Sequence, residues 1–245
     1  MNPQALRIAM WSGPRNISTA LMRSWGNRPD TFVCDEPFYA HYLVQTKIEH
    51  PGVEEVIRSQ ENDWRKVADW LIGPVPEGKS IFYQKHMAHH LLPNMERGWL
   101  ERVTNCFLIR EPREMLTSLL HFLPQPTLAD TGLPQQVEIF RHINERTGHT
   151  PPIVDARDVL NAPRRILGLL CDALQVPFAE EMLSWPPGPR TSDGVWAKYW
   201  YAAVEKTTSF QPYKPKHDPV PDALRDLSEQ CEELYQQLYP HRLRP

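Results

Sequence analysis

The sequence predicts one α/β domain over residues 1–245, with a mainly parallel central sheet flanked by helices. Strand-like apolar runs alternate with helix-period segments along the chain. The first run turns abruptly into a helix. A charged or polar group follows each of the first four runs, and in a parallel sheet those groups share one edge.

Residues 6–11 (LRIAMW) read as a strand buried on both faces. Ser12-Gly13-Pro14 breaks it, since Gly tolerates unusual backbone angles and Pro fixes its own. Ser18 and Thr19 stand where caps are expected for a helix carrying Ala20, Leu21 and Trp25. The second strand, 31–34, ends in Asp35-Glu36-Pro37, and residues 40–51 read as loop or irregular helix. Helical spacing covers 53–72, in one piece or two, until Gly73-Pro74 stops it. The third strand, 80–84, runs directly into Lys85-His86. A short helix around 93–102 leads to the fourth strand, 103–109, closed by Arg110-Glu111-Pro112. Further helices are expected over 113–122, 134–146, 160–174, 196–204 and 224–238, a short last strand over 152–154, and loops over 123–133 and 207–221.

A chain of 245 residues buries a full core. Its net charge of −3 supplies no global basic field, which argues against nonspecific nucleic-acid binding. The 25 prolines, about twice average usage, fall in loops and around helix ends, so low-complexity disorder is not indicated. Cys34, Cys106, Cys171 and Cys231 are widely spaced without a C-x-x-C pair, as expected of reduced thiols in a cytoplasmic protein. The opening apolar run is too short for a secretory signal, and no segment approaches a membrane span. Oligomeric state is left open.

The strand–turn–helix at 6–24 aims free helix N–H groups at whatever lies above the strand end, the setting of an anion site. Arg15 supplies one cation, and Asn16, Ser18 and Thr19 supply short polar side chains. A nucleotide triphosphatase loop would need Gly-Lys where Ser18-Thr19 stand, so magnesium-triphosphate equipment is missing. The plain alternative is an ordinary turn with a solvated arginine. Asp35-Glu36, Lys85-His86 and Arg110 would join the loop at the same edge, which describes a site for a doubly anionic ligand plus a general base. Ser118, eight positions after Arg110, can share a phosphate with it if its helix packs back over that edge.

GPRNISTAL around Arg15 resembles the 5′-phosphosulfate loop of the sulfotransferases, usually Pro-Arg/Lys-Ser-Gly-Ser/Thr-Thr. FLIREPREMLTSLLHF is similar to their 3′-phosphate segment, a strand ending in Arg with Ser eight residues beyond. Residues 153–178 resemble the family's next strand–helix unit. Ile17 departs from the pattern, standing where Gly is usual, and the late Gly-rich basic segment on the adenine side has only 194–198 (GVWAK, with Trp196 and Lys198) as a loose counterpart.

The resemblance implies a P-loop NTPase-like sulfotransferase fold. It also implies transfer of a sulfuryl group from 3′-phosphoadenosine-5′-phosphosulfate (PAPS) to a hydroxyl or amine of a small-molecule acceptor. The 5′ side would lie on the amides of Asn16, Ile17, Ser18 and Thr19, with Arg15 and Lys85 neutralising charge, and Arg110 and Ser118 would hold the 3′-phosphate. A transferring sulfuryl group carries less charge than a phosphoryl group, so no metal is expected. Glu36 and His86 are the two candidates for the acceptor's base. His89 and His90 line the acceptor pocket or have no role, and Trp185, Trp196, Tyr199, Trp200 and Tyr201 either wall that pocket or pack as core. The competing readings are a P-loop small-molecule kinase using Mg-ATP and a nucleotide-binding module without catalysis.

Overall fold

The computed structural model describes residues 5–215 and 218–244, so Lys216 and His217 of the 207–221 stretch and both extreme termini lie outside the described residues. Five strands, β1 (Leu6–Ser12), β2 (Thr31–Asp35), β3 (Ile81–Met87), β4 (Thr104–Ile109) and β5 (Ile153–Asp155), pair in the order β2-β3-β1-β4-β5. Every pairing is parallel, as the alternation of strands and helices requires.

The chain supplies α1 (Ser18–Gly26), α2 (Tyr39–Thr46), α3 (Val53–Ser59), α4 (Trp64–Ile72), α5 (Pro112–Leu119), α6 (Leu133–Thr147), α7 (Ala156–Asn161), α8 (Pro163–Ala173), α9 (Ala197–Trp200) and α10 (Arg225–Leu238). Strand alternation divides the sheet's side chains between two cores. On one face Trp11, Phe82, Phe107 and Ile153 pack with α4, α6 and α10. On the other Met10, Tyr83, Cys106 and Val154 pack with α1 and α8. A third cluster joins Tyr39, Leu43, Val56, Trp196 and Tyr201, so α2, α3 and α9 form a cap beside β2 and β3. No described helix is long and apolar enough to cross a membrane.

Several boundaries differ from the sequence reading for identifiable reasons. Residues 53–72 form two helices because Asp63 caps the second, accepting from Arg65 N at 2.9 Å. Pro163 likewise starts α8 afresh within 160–174. The expected cap at Ser18 or Thr19 is absent: Ile17 occupies the N-cap and α1 has no side-chain cap. Residues 40–51 contain α2, and the short helix around 93–102 reduces to a tight turn at Gly98–Arg102. Most consequential, β3 continues through Lys85 and His86 to Met87, so these two residues lie inside the strand and alternation sends them to opposite faces.

Candidate functional site

The site lies at the carboxyl ends of the strands, where β1 separates β3 from β4. Its first half is the loop after β1. A Cβ on Gly13 would stand 2.4 Å from the Thr131 carbonyl, so only glycine lets this loop pass the neighbouring turn. Arg15 takes the left-handed region, φ +54°, which costs energy for a side-chain-bearing residue. Because the positive angle falls on Arg15, Ile17 keeps φ −87°, and the missing family glycine is accommodated without strain there. Asn16 is spent on the loop itself: its Nδ2 donates to the Leu108 carbonyl of β4 at 3.1 Å and its Oδ1 accepts from Ile17 N at 2.8 Å. The amides of Ser18, Thr19 and Ala20, at the start of α1, have no acceptor among the described residues.

The structure brings Arg15, Arg110 and Ser118 together. Arg15 Nε donates to Ser118 Oγ at 3.1 Å, and its guanidinium lies 4.3 Å from the Phe122 ring centroid. Arg110 NH1 donates to the Arg15 carbonyl, and its NH2 faces Glu114 at 3.3 Å. Burial, and then the neighbouring Arg110, hold the Arg15 guanidinium below its ordinary pKa. Arg110 faces the Glu114 carboxylate, whereas the Arg15 side chain meets a hydroxyl and an aromatic ring, an arrangement suited to an anion. Glu111 and Pro112 aim this corner, since Glu111 caps α5 by accepting from Arg113 N and Glu114 N at 3.2 and 2.9 Å.

The second half is an ion cluster beyond β2 and β3. Lys85 is buried, and its Nζ donates to Asp35 Oδ1 at 2.8 Å, Glu36 Oε1 at 2.5 Å and the Tyr201 hydroxyl at 2.9 Å. Tyr201 in turn donates to Asp35 Oδ2 at 2.7 Å. All three ammonium protons are therefore used within the cluster, and none is left for the donor's phosphosulfate. Burial opposes the charge on Lys85, but the two carboxylates outweigh it and hold its pKa well above the ordinary value. Two carboxylates around one ammonium leave an excess negative charge out of water. Burial first, then Asp35, raise the pKa of Glu36, with Lys85 opposing them.

Glu36 adopts φ +44°, anchored by its N–H to the Lys85 carbonyl at 2.9 Å and by its own carbonyl, which accepts from Gln60 Nε2 at 3.2 Å. Its Oε2 has no hydrogen-bond partner among the described residues, and His90 Nδ1 lies 4.0 Å from it. This strained, partly accessible carboxylate is the one group in the cluster with an oxygen to spare.

His86 is not brought to Glu36. It lies on the opposite face, its ring stacked 4.3 Å from Trp11 and 5.6 Å from Phe38, and burial pushes its pKa down to about 3. The histidine beside Glu36 is His90, held between Tyr39 and Tyr42 at 4.7 and 4.6 Å. The Trp-rich tail divides: Trp185 and Trp196 are core, whereas Trp200 meets Phe122 at 5.5 Å and His50 at 6.4 Å at the site's rim. Within the GVWAK segment, Gly194 N donates to Asp35 Oδ2 at 3.3 Å and Lys198 pairs with Glu55 at 2.5 Å, so it serves the carboxylate half. The late segment that reaches Arg110's neighbourhood is 211–215, where the Tyr213 hydroxyl donates to Glu114. Tyr213 is the site residue that sequence reasoning misses; Asp35 enters there only as Glu36's neighbour, and His90 and Tyr201 only as residues that could line the acceptor pocket, with no local signal for the contacts they make.

The buried histidines make stability acid-sensitive. His86 and His89 are pushed to about 3 and about 4 from 6.5, and burial drives His90 well below it too. Below about pH 6.5 the unfolded chain takes up protons that these rings refuse, so they withdraw stability as pH falls. Glu36 and Asp155, whose carboxyls burial raises, pull the other way, so the effect is best read as a difference. The stability of His86→Phe relative to the wild type is expected to rise by more than about 1 kcal/mol, one pKa unit's worth, as pH drops from 7 to 4 in melting curves; a difference that does not change with pH would contradict the assignment.

The sequence profile described as "Sulfotransferase domain" matches residues 6–239. Branched-chain-amino-acid aminotransferase-like proteins 2 and 1 of Arabidopsis thaliana are each 35% identical to the chain, over 96% of its length in both cases. The chain spans only 41% and 42% of these relatives. Among solved structures, the sulfotransferase domain of the Synechococcus PCC 7002 olefin synthase superposes with a TM-score of 0.59 at 18% identity, covering 96% of this chain and 97% of that one. A sulfotransferase from Alicyclobacillus acidocaldarius gives 0.56 at 10% identity, covering 98% and 97%. These structural likenesses concern the fold. With the family profile spanning both halves of the site, the chain belongs to the sulfotransferase family.

Proposed function

We propose that the chain transfers a sulfuryl group from PAPS to a hydroxyl, or an amine, of a small-molecule acceptor. The observation that carries this reading is the pairing of two unlike half-sites: cations and unpartnered helix amides on one side, and a carboxylate with a raised pKa and a free oxygen on the other.

The residues fit a donor with anions at both ends. The amides of Ser18 and Thr19 and the Arg15 guanidinium would hold the 5′ side, and Arg110 with Ser118 the 3′-phosphate. Bound there, the donor supplies the sulfuryl group: its S–O bond to the 5′-phosphate breaks as the acceptor–sulfur bond forms, and the bisphosphate departs. Fixed cations and amides aimed at the departing phosphate stabilise charge that grows only in the transition state. Glu36 takes the acceptor's proton on Oε2, while Lys85 grips Oε1 and fixes the carboxylate's direction. Asp35 and Tyr201 hold Lys85 in turn, so Lys85 acts through Glu36. His86, neutral and stacked in the core, has no part in this scheme.

Donor carrying a labelled sulfuryl group, incubated with the protein and a mixture of hydroxylated and amino small molecules, tests the reading. Label is expected to pass to an organic product with one bisphosphate released per transfer. In a parallel incubation with Mg-ATP in place of the donor, consumption of ATP with no label transfer in the first would establish a kinase, and donor bound without turnover a binding module.

A further inference from the structure

Glu114 lies behind Arg110, in the first turn of α5, and is buried. Its oxygens have different partners: Oε2 faces Arg110 NH2 at 3.3 Å, and Oε1 accepts from the Tyr213 hydroxyl. The first contact is long for a charge-assisted hydrogen bond, which ordinarily spans about 2.7–2.9 Å. The carboxylate is therefore shared between the two. Tyr213 arrives from a proline-marked strap 99 positions away in sequence. The Arg157 guanidinium lies 5.4 Å from its ring centroid and steadies it there.

We propose that Tyr213 is a positioning residue for the donor's 3′-phosphate: by occupying Oε1 of Glu114 it keeps this carboxylate from closing on Arg110 and leaves the guanidinium to the phosphate. The inference rests on the sulfotransferase reading. Without the phenol, Oε1 becomes a buried acceptor lacking its donor, a costly state that the nearby guanidinium relieves by turning both N–H groups onto Glu114. The phosphate must then break a two-pronged ion pair before it can bind. Tyr213 needs no contact with the ligand for this effect, and strap 211–215 becomes the back wall of the 3′-phosphate pocket.

The test is calorimetric titration with 3′-phosphoadenosine-5′-phosphate and, separately, adenosine 5′-monophosphate, which lacks the 3′-phosphate. Tyr213→Phe is expected to weaken the bisphosphate about tenfold, the worth of one hydrogen bond to a charged group, and to leave the monophosphate unchanged. Glu114→Gln, which keeps an acceptor for Tyr213 but removes the competing charge, is expected to bind the bisphosphate more tightly than wild type. In that background Tyr213→Phe should shift affinity by less than about twofold, because the two residues act as one unit. Equal losses for both ligands in Tyr213→Phe, or weaker bisphosphate binding in Glu114→Gln, would overturn the role of Tyr213 and leave the donor reading standing. A wild type with no preference for the bisphosphate would sink the donor reading and this inference together.

Discussion

Glu36→Gln is expected to lower kcat by about 10²- to 10⁴-fold, the range for loss of a general base, with bisphosphate affinity unchanged. The amide still accepts from Lys85, as Oε1 does at 2.5 Å, but its NH₂ replaces the one oxygen free to take a proton. The protein should fold at least as stably, because one ammonium then faces Asp35 alone and the carboxylate repulsion disappears. Wild-type activity should fall as pH drops through the pKa of Glu36, which burial and Asp35 place above the usual 4.5. That acid limb should vanish from the residual activity of the variant. His86→Phe should keep the limb, since the ring is already neutral down to about pH 3. Steady-state kinetics across pH on these proteins separates Glu36 from His86 as the base.

Arg110→Ala should weaken 3′-phosphoadenosine-5′-phosphate by about a hundredfold or more, equivalent to roughly 3 kcal/mol for a charge-assisted phosphate contact. Losses accumulate at this position. The phosphate forfeits its guanidinium, buried Glu114 is left without its ion-pair partner, and its negative charge then faces the ligand. The Arg15 carbonyl also loses the donor that holds the loop in its left-handed turn. Arg110→Lys, which keeps the charge without the planar fork, should fall between alanine and wild type.

The parts of this account that could be read from the sequence are local in chain position. Strand, turn and helix around Arg15 lie within twenty residues, and Arg110 and Ser118 within nine, so short-range pattern placed them. Parallel pairing then followed from the alternation of elements and put the strand ends on one edge. The ion cluster was legible only in fragments, because Tyr201 reaches Asp35 across 166 positions and no periodicity encodes that meeting. Lys85 and His86 looked like residues that end a strand; burial lets a strand carry them when one is neutralised by carboxylates and the other stacks neutral between aromatic rings. Once β3 extends to Met87, period-two alternation decides that only one of them can face Glu36. Ile17 was the opposite case: a departure from the family pattern that proved harmless because the strained angle belongs to Arg15.

Titration of the wild-type protein with 3′-phosphoadenosine-5′-phosphate, without added metal and in parallel with ATP plus magnesium, tests the central claim most directly. The bisphosphate is expected to bind tightly, to lose that binding in Arg110→Ala, and to outcompete Mg-ATP. Binding of Mg-ATP alone, or of the bisphosphate with equal strength in Arg110→Ala, would contradict it.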